Sequence, residues 1–170
     1  MKLLFVVTGF AYGDSIRTES IINEFLKKDK SNEVIILGYD NSYSYFKNKF
    51  RTLEIEGYKF PDYELEFKTH RFLIKNYYLP FSWITTWRKH RKILKSFNPD
   101  LIISDFEPMA ILIARSLNKK CVSIFGYDPL AYKNYNDKNN ALNIQSRFIE
   151  KIYDNSDYVV YHHLGKEKIS

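Results

Sequence analysis

The residues whose types and spacing could do chemistry fall at four places along the chain. The first is the turn Thr8-Gly9-Phe10-Ala11-Tyr12-Gly13-Asp14, which follows the apolar run Lys2–Val7 and leads into an amphipathic segment carrying Arg17. A strand, a glycine turn and a helix in succession aim backbone N–H groups at an anionic ligand. Gly9 and Gly13 would let a ligand approach the backbone closely. Asp14 could take a proton from a hydroxyl as a general base, or cap the helix that follows. An aspartate would also repel a phosphate at this turn, and Arg17, one turn on, could offset that charge or lie solvated.

The second place is Asp105 and Glu107, just past the apolar run Leu101–Ser104. A pair of acids there could hydrogen-bond ligand hydroxyls or orient a nucleophile. Alternatively they complement the positive end of the helix opened by Pro108. The third is Tyr127 and Asp128, at the head of a Tyr/Asn/Lys-rich loop over 126–139 whose aromatic rings suit stacking on a ligand. The fourth is the segment 70–92, where Phe81, Trp83 and Trp87 stand beside Arg88, Lys89, Arg91 and Lys92. Rings and cations so mixed suit contact with an anionic membrane surface. The other reading is a core helix with its aromatics packed inward and its cations solvated.

Other patterns carry less. Gly9-x-x-x-Gly13 is not the dinucleotide fingerprint, because Ala11 occupies its middle position. Asp40 could hold a ribose or cap a helix. His162-His163 lacks metal-ligand spacing, so no metal is expected, nor any cofactor. The net charge of +6 and pI near 9.2 point to an anionic partner. No nucleic-acid module is visible, so nucleic acid is not expected. The lone Cys121 excludes an internal disulfide and suits a reducing compartment. No run reaches the roughly eighteen apolar residues that a membrane span requires.

These residues must be positioned by regular elements. Hydrophobic periodicity predicts a strand over 2–7, a helix from about Ser15 to Lys28 with Ile21, Ile22, Phe25 and Leu26 on one face, and a strand over 33–38. A short helix near 42–47 and a strand over 51–56 follow, with an extension or flap after Pro61. Residues 70–97 read as helical and broken by Pro80. Then come a strand over 101–104, a helix over 106–117, a strand over 121–125, a helix around 142–152 and a strand over 157–161. Strands alternating with helices predict a doubly wound, Rossmann-like parallel α/β sheet of about six strands in one domain, 1–170. Its ligand crevice lies at the carboxyl ends of the strands, where the first three candidate sites fall.

The run Phe5–Thr18 resembles the opening of two-domain, GT-B type glycosyltransferases, in particular the bacterial enzyme that adds N-acetylglucosamine to a lipid-linked cell-wall precursor, and its archaeal relatives. Pro99–Pro108 resembles that family's fourth-strand motif, Lys120–Phe125 its next strand and Asp157–Tyr161 the strand closing its N-terminal domain. Where the family has glycine and histidine, this chain has Ala11 and Asp14. The resemblance implies the acceptor-binding, N-terminal half of an inverting, metal-independent glycosyltransferase. Asp14 and Glu107 would be its catalytic candidates, and Gly9, Gly13, Arg17, Asp105, Tyr127 and Asp128 would hold the acceptor. The donor, a UDP-sugar, would be bound mainly by a C-terminal domain expected to be absent here and supplied by a donor-binding subunit. The acceptor would be a glycan or lipid-linked, the location cytoplasmic and peripheral to the membrane. The alternatives are a noncatalytic adaptor at the membrane surface and a stand-alone nucleotide-binding protein.

Overall fold

The computed structural model describes residues 1–10, 12–59, 74–125, 151 and 153–161. Its frame is one six-stranded parallel sheet of β1 (Lys2–Val7), β2 (Glu33–Gly38), β3 (Thr52–Glu54), β4 (Leu101–Asp105), β5 (Lys120–Phe125) and β6 (Tyr158–Tyr161), in the order β3-β2-β1-β4-β5-β6. The order reverses direction between β1 and β4, which makes their carboxyl ends the switch point at which such sheets bind ligands. Val7 pairs with Gly38 on one side and with Asp105 on the other, so the glycine turn and the Asp105 corner leave the sheet side by side.

Side-chain alternation feeds two cores. Leu4 and Val6 join Ile35, Leu37 and Ile102 on the face covered by α3 (Leu79–Phe97) and α4 (Met109–Leu117). Leu3, Phe5 and Val7 join Ile36 and Ile103 on the opposite face, under α1 (Tyr12–Lys28) and α2 (Asp40–Phe46). Covering both faces is why β1 reads as an unbroken apolar run and not as an alternating one.

Several boundaries differ from the sequence reading. Helix α1 starts at Tyr12 rather than Ser15, so Gly13 and Asp14 belong to its first turn. Its inner face is Ser15, Thr18 and Ile22; Phe25 and Leu26 are half-buried, and Ile21 lies exposed because the helix is rotated toward its small polar residues. Strand β3 is only three residues long. Pro80 is the second residue of α3 and does not interrupt it, since a position in the first helical turn requires no N–H from proline. Helix α4 starts at Met109, because Phe106 takes a left-handed conformation (φ 54°) that a continuing helix does not allow. The flap after Pro61 and most of the helix expected near 142–152 lie outside the described residues. Among those described, no helix is long and apolar enough to cross a membrane.

Candidate active site

The carboxyl edge of β1 and β4 gathers three of the expected residues into one ion-pair cluster. Arg17 reaches from α1 to Asp14, its Nη2 donating to Oδ1 at 2.6 Å, and the same nitrogen donates to Asp105 Oδ1 at the end of β4. Thr18 Oγ1 donates to the other Asp105 oxygen at 2.5 Å. Asp105 is fully buried, whereas Arg17 and Asp14 each keep about a fifth of their side-chain surface open (22%). Burial pushes the Asp105 carboxyl above its ordinary range, against the pull of Arg17 and Thr18. Burial also opposes the charge on Arg17, but Asp105 and Asp14 outweigh it and hold the guanidinium above its usual value. The result is one cation shared by two carboxylates. Asp14, the third residue of α1, is not the helix cap; it is an acid in the first turn, favoured by the helix dipole and open to a ligand.

Glu107 takes a different role from the one expected. Its side chain is fully buried at the start of α4, where Oε1 accepts from the Met109 N–H at 3.3 Å and Oε2 has no hydrogen-bond partner. It does not reach the surface where an acceptor would lie. Burial raises its carboxyl to about 8, so near neutral pH it is mostly a neutral acid. Its backbone is tied to Ser104, whose Oγ donates to the Glu107 carbonyl at 2.8 Å.

Sequence reasoning missed the network beneath the site. Tyr58 OH donates to the Phe106 carbonyl at 2.9 Å; Thr8 Oγ1 lies 2.9 Å from Tyr58 OH and 3.1 Å from Tyr39 OH. With the Tyr58 proton committed to Phe106, Thr8 donates to Tyr58 and accepts from Tyr39. This buried chain clasps the left-handed Phe106 corner to the end of β1. Burial first, then the neighbouring Glu107, push both phenols well above their ordinary range. The only signal available in sequence was positional: Thr8 and Tyr39 each follow a strand directly.

The two glycines of the turn part company. A Cβ on Gly9 would fall 2.3 Å from the Tyr39 carbonyl oxygen and 2.6 Å from its ring, and one on Gly57 would fall 2.0 Å from the same ring. Gly9 is therefore glycine because Tyr39 packs on it, which corrects the expectation that it serves ligand approach. A Cβ on Gly13 would meet nothing within 4 Å, so no contact among the described residues demands glycine there. Asp40, considered for a ribose, is exposed at the start of α2. Tyr127, Asp128 and His162-His163 lie outside the described residues. Among those described, no group of three or more His, Cys, Asp or Glu could hold a metal ion.

The basic-aromatic segment is split by its helix. Trp83 and Trp87 are half-buried against the core beneath α3, which corrects their expected place at a membrane surface. Phe81, Arg88, Lys89, Arg91 and Lys92 point outward and are exposed.

A family model described as glycosyl transferase family 1 matches residues 1–153. No curated protein matches the chain. Among solved structures, UGT89C1 of Arabidopsis thaliana complexed with UDP superposes with a TM-score of 0.54 at 14% identity, over 95% of this chain and 45% of that one. UGT89C1 with UDP-L-rhamnose gives 0.53 at 13% identity, over 96% and 45%. MurG of Acinetobacter baumannii gives 0.49 at 10% identity, over 99% and 43%. The chain spans less than half the length of each of these structures.

Proposed function

This chain belongs to glycosyl transferase family 1, and from that premise we propose that it is the acceptor-side half of an inverting glycosyltransferase. A separate donor-binding subunit would complete it, and the sugar would come from a UDP-sugar. The observation that carries the acceptor side is the charge of the site. Asp14 and Asp105 share the single cation Arg17, and Glu107 beneath them is mostly neutral, so the cluster has a surplus negative charge. That charge disfavours the diphosphate of a nucleotide and suits a hydroxyl, which donates to a carboxylate.

In this reading the acceptor hydroxyl donates to Asp14, which lies at the open mouth of the cluster. It attacks the anomeric carbon of the donor, the bond from that carbon to the UDP oxygen breaks, and the hydroxyl proton passes to the Asp14 carboxylate. Arg17 fixes the orientation of that carboxylate from one side, while Asp105, itself held by the Thr18 hydroxyl, anchors Arg17 from below. Gly13 leaves room for the acceptor along the first turn of α1. Tyr127 and Asp128, in the stretch after β5, are further candidates for acceptor contact. The acceptor is lipid-linked or a glycan, presented on the cytoplasmic side of a membrane.

The test is co-expression with a donor-binding glycosyltransferase subunit from the same genome, followed by transfer from radiolabelled UDP-sugars. Transfer is expected only with the pair, and Asp14→Asn should lower kcat by about a hundredfold or more while the pair still assembles. Transfer by the chain alone, or full turnover by Asp14→Asn, would overturn the proposal.

A further inference from the structure

The corner at Phe106 is where the ion-pair cluster depends on a residue far from it in sequence. Asp105 closes β4, and the next residue turns at φ 54°, a left-handed conformation that a phenylalanine keeps when its surroundings hold it there. The Phe106 N–H donates to the Ile124 carbonyl at 3.3 Å, and its own carbonyl accepts from Tyr58 OH at 2.9 Å. Its ring lies edge-on to Tyr58 and stacked with Tyr153, the centroids 6.4 and 6.3 Å away.

The Tyr58 hydroxyl also reaches Asp105 by a second route. The Thr8 N–H donates to the Asp105 carbonyl at 3.0 Å, and Thr8 Oγ1 donates to Tyr58 OH at 2.9 Å. The bonds close a ring that runs from Tyr58 to Phe106, one peptide back to Asp105, across to Thr8 and home to Tyr58. Asp105 belongs to this ring by its backbone, while its carboxylate accepts from Arg17 and Thr18, and Arg17 donates to Asp14. Thr8 and Tyr58 are buried, so water does not replace a bond lost here. Tyr58 is itself held from both sides. The Gly57 carbonyl before it accepts from Tyr78 OH at 3.3 Å. After it, the Lys59 N–H donates to Asn76 Oδ1 at 2.6 Å and the Lys59 carbonyl accepts from Asn76 Nδ2 at 2.8 Å.

We infer that Tyr58 is a positioning residue of the site: its hydroxyl fixes the Asp105–Phe106 corner and, through Asp105 and Arg17, the carboxylate of Asp14. Tyr58 acts from beneath and meets no ligand. Removing its hydroxyl withdraws a bond from the Phe106 carbonyl and another from Thr8, so both arms of the ring open at once. The corner then relaxes, and Arg17 and Thr18 lose their aim on the Asp105 carboxylate. Burial, which pushes that carboxyl up, is then opposed less. That the arrangement serves glycosyl transfer rests on the proposed acceptor-side function; the coupling of Tyr58 to Asp105 does not.

The experiment is an NMR titration of the purified chain labelled with carbon-13 at its aspartate carboxyls, the Asp105 signal being assigned by its loss in Asp105→Asn. Tyr58→Phe keeps the ring and should move the Asp105 titration upward by about one pH unit. Thr8→Val cuts the ring of bonds at its other hydroxyl and should move it the same way, which keeps the test open if Tyr58→Phe does not fold. Tyr39→Phe removes a neighbouring buried hydroxyl that bonds Thr8 but not the corner. It should lower the melting temperature and leave the Asp105 titration in place. An Asp105 signal unmoved in both Tyr58→Phe and Thr8→Val overturns the inference, as does an equal shift in Tyr39→Phe, which would mark general loosening. In the assembled pair, Tyr58→Phe should lower kcat about tenfold with KM for the acceptor within about twofold, as expected when a reacting group is misaimed. A raised KM with kcat intact would count against positioning. Absence of transfer by any form of the pair would sink the acceptor-side reading and leave the titration result as it stands.

Discussion

At the scale of single residues, Glu107 sets a pH dependence whose sign follows from its burial. The unfolded chain releases this proton near the ordinary value of 4.5, whereas the folded chain holds it up to about 8. Between those limits the folded state binds more protons, so the stability that this group contributes is full below pH 4.5 and is lost as pH rises toward 8, by about 1.4 kcal/mol per unit. Glu107→Gln keeps the shape and removes the titration. Thermal melts from pH 5 to 8 should show the variant gaining on wild type at each step, and a constant difference would disprove a neutral buried acid. The glycines give a second contrast. Gly9→Ala forces a Cβ into Tyr39 and should cost about 1–3 kcal/mol in urea unfolding. Gly13→Ala meets open space within a helical turn and should stabilise by roughly 0.5–1 kcal/mol. If Gly13 makes room for the acceptor, that stabler variant should show a raised KM. In sequence the two glycines look alike; which one carries Tyr39 depends on a packing partner thirty residues away.

At the scale of elements, legibility followed periodicity. Strands β1 and β2 are legible to the residue and β4 and β5 nearly so, because continuous apolar runs between polar turns have one economical reading in a sheet covered on both faces. The helix starts were harder. Tyr12 and Gly13 carry no cap signal, and Phe106 is kept out of α4 by a left-handed backbone that its residue type does not advertise. The orientation of α3 was open for a similar reason: tryptophans beside cations fit either face of a helix, and only the seating of Leu94 and Phe97 on the sheet decides which. Helix ends show the opposite case. Both α3 and α4 stop at an asparagine in the left-handed conformation, Asn98 (φ 51°) and Asn118 (φ 53°). Asn118→Val should therefore cost about 1–2 kcal/mol and Asn118→Gly be neutral or mildly stabilising, as chemical denaturation would record. Equal losses in both variants would mean that the side chain matters there and the backbone does not.

At the scale of the whole molecule, the fold separates its charges along one helix. The cations from Arg88 to Lys95 occupy the half of α3 that runs toward the amino edge of the sheet, whereas Asp14, Arg17 and Asp105 gather at the carboxyl edge. Helix α3 has 19 residues and is about 28 Å long. At physiological ionic strength charges are screened over about 8 Å, so the five cations from Arg88 to Lys95 act only weakly at the site, and the local balance of two carboxylates to one guanidinium governs what binds there. A nucleotide diphosphate brought to that edge meets like charge and a cation already shared twice. The isolated chain should consequently show no heat of binding with UDP in titration calorimetry at millimolar concentration, and added salt should not reveal any. Asp14→Asn removes one of the two carboxylates; if local charge is what excludes the nucleotide, this variant should bind UDP at least weakly where wild type does not. Micromolar binding of UDP by the wild type would show instead that this edge is a donor site, and the assignment of the acceptor to it would have to be abandoned.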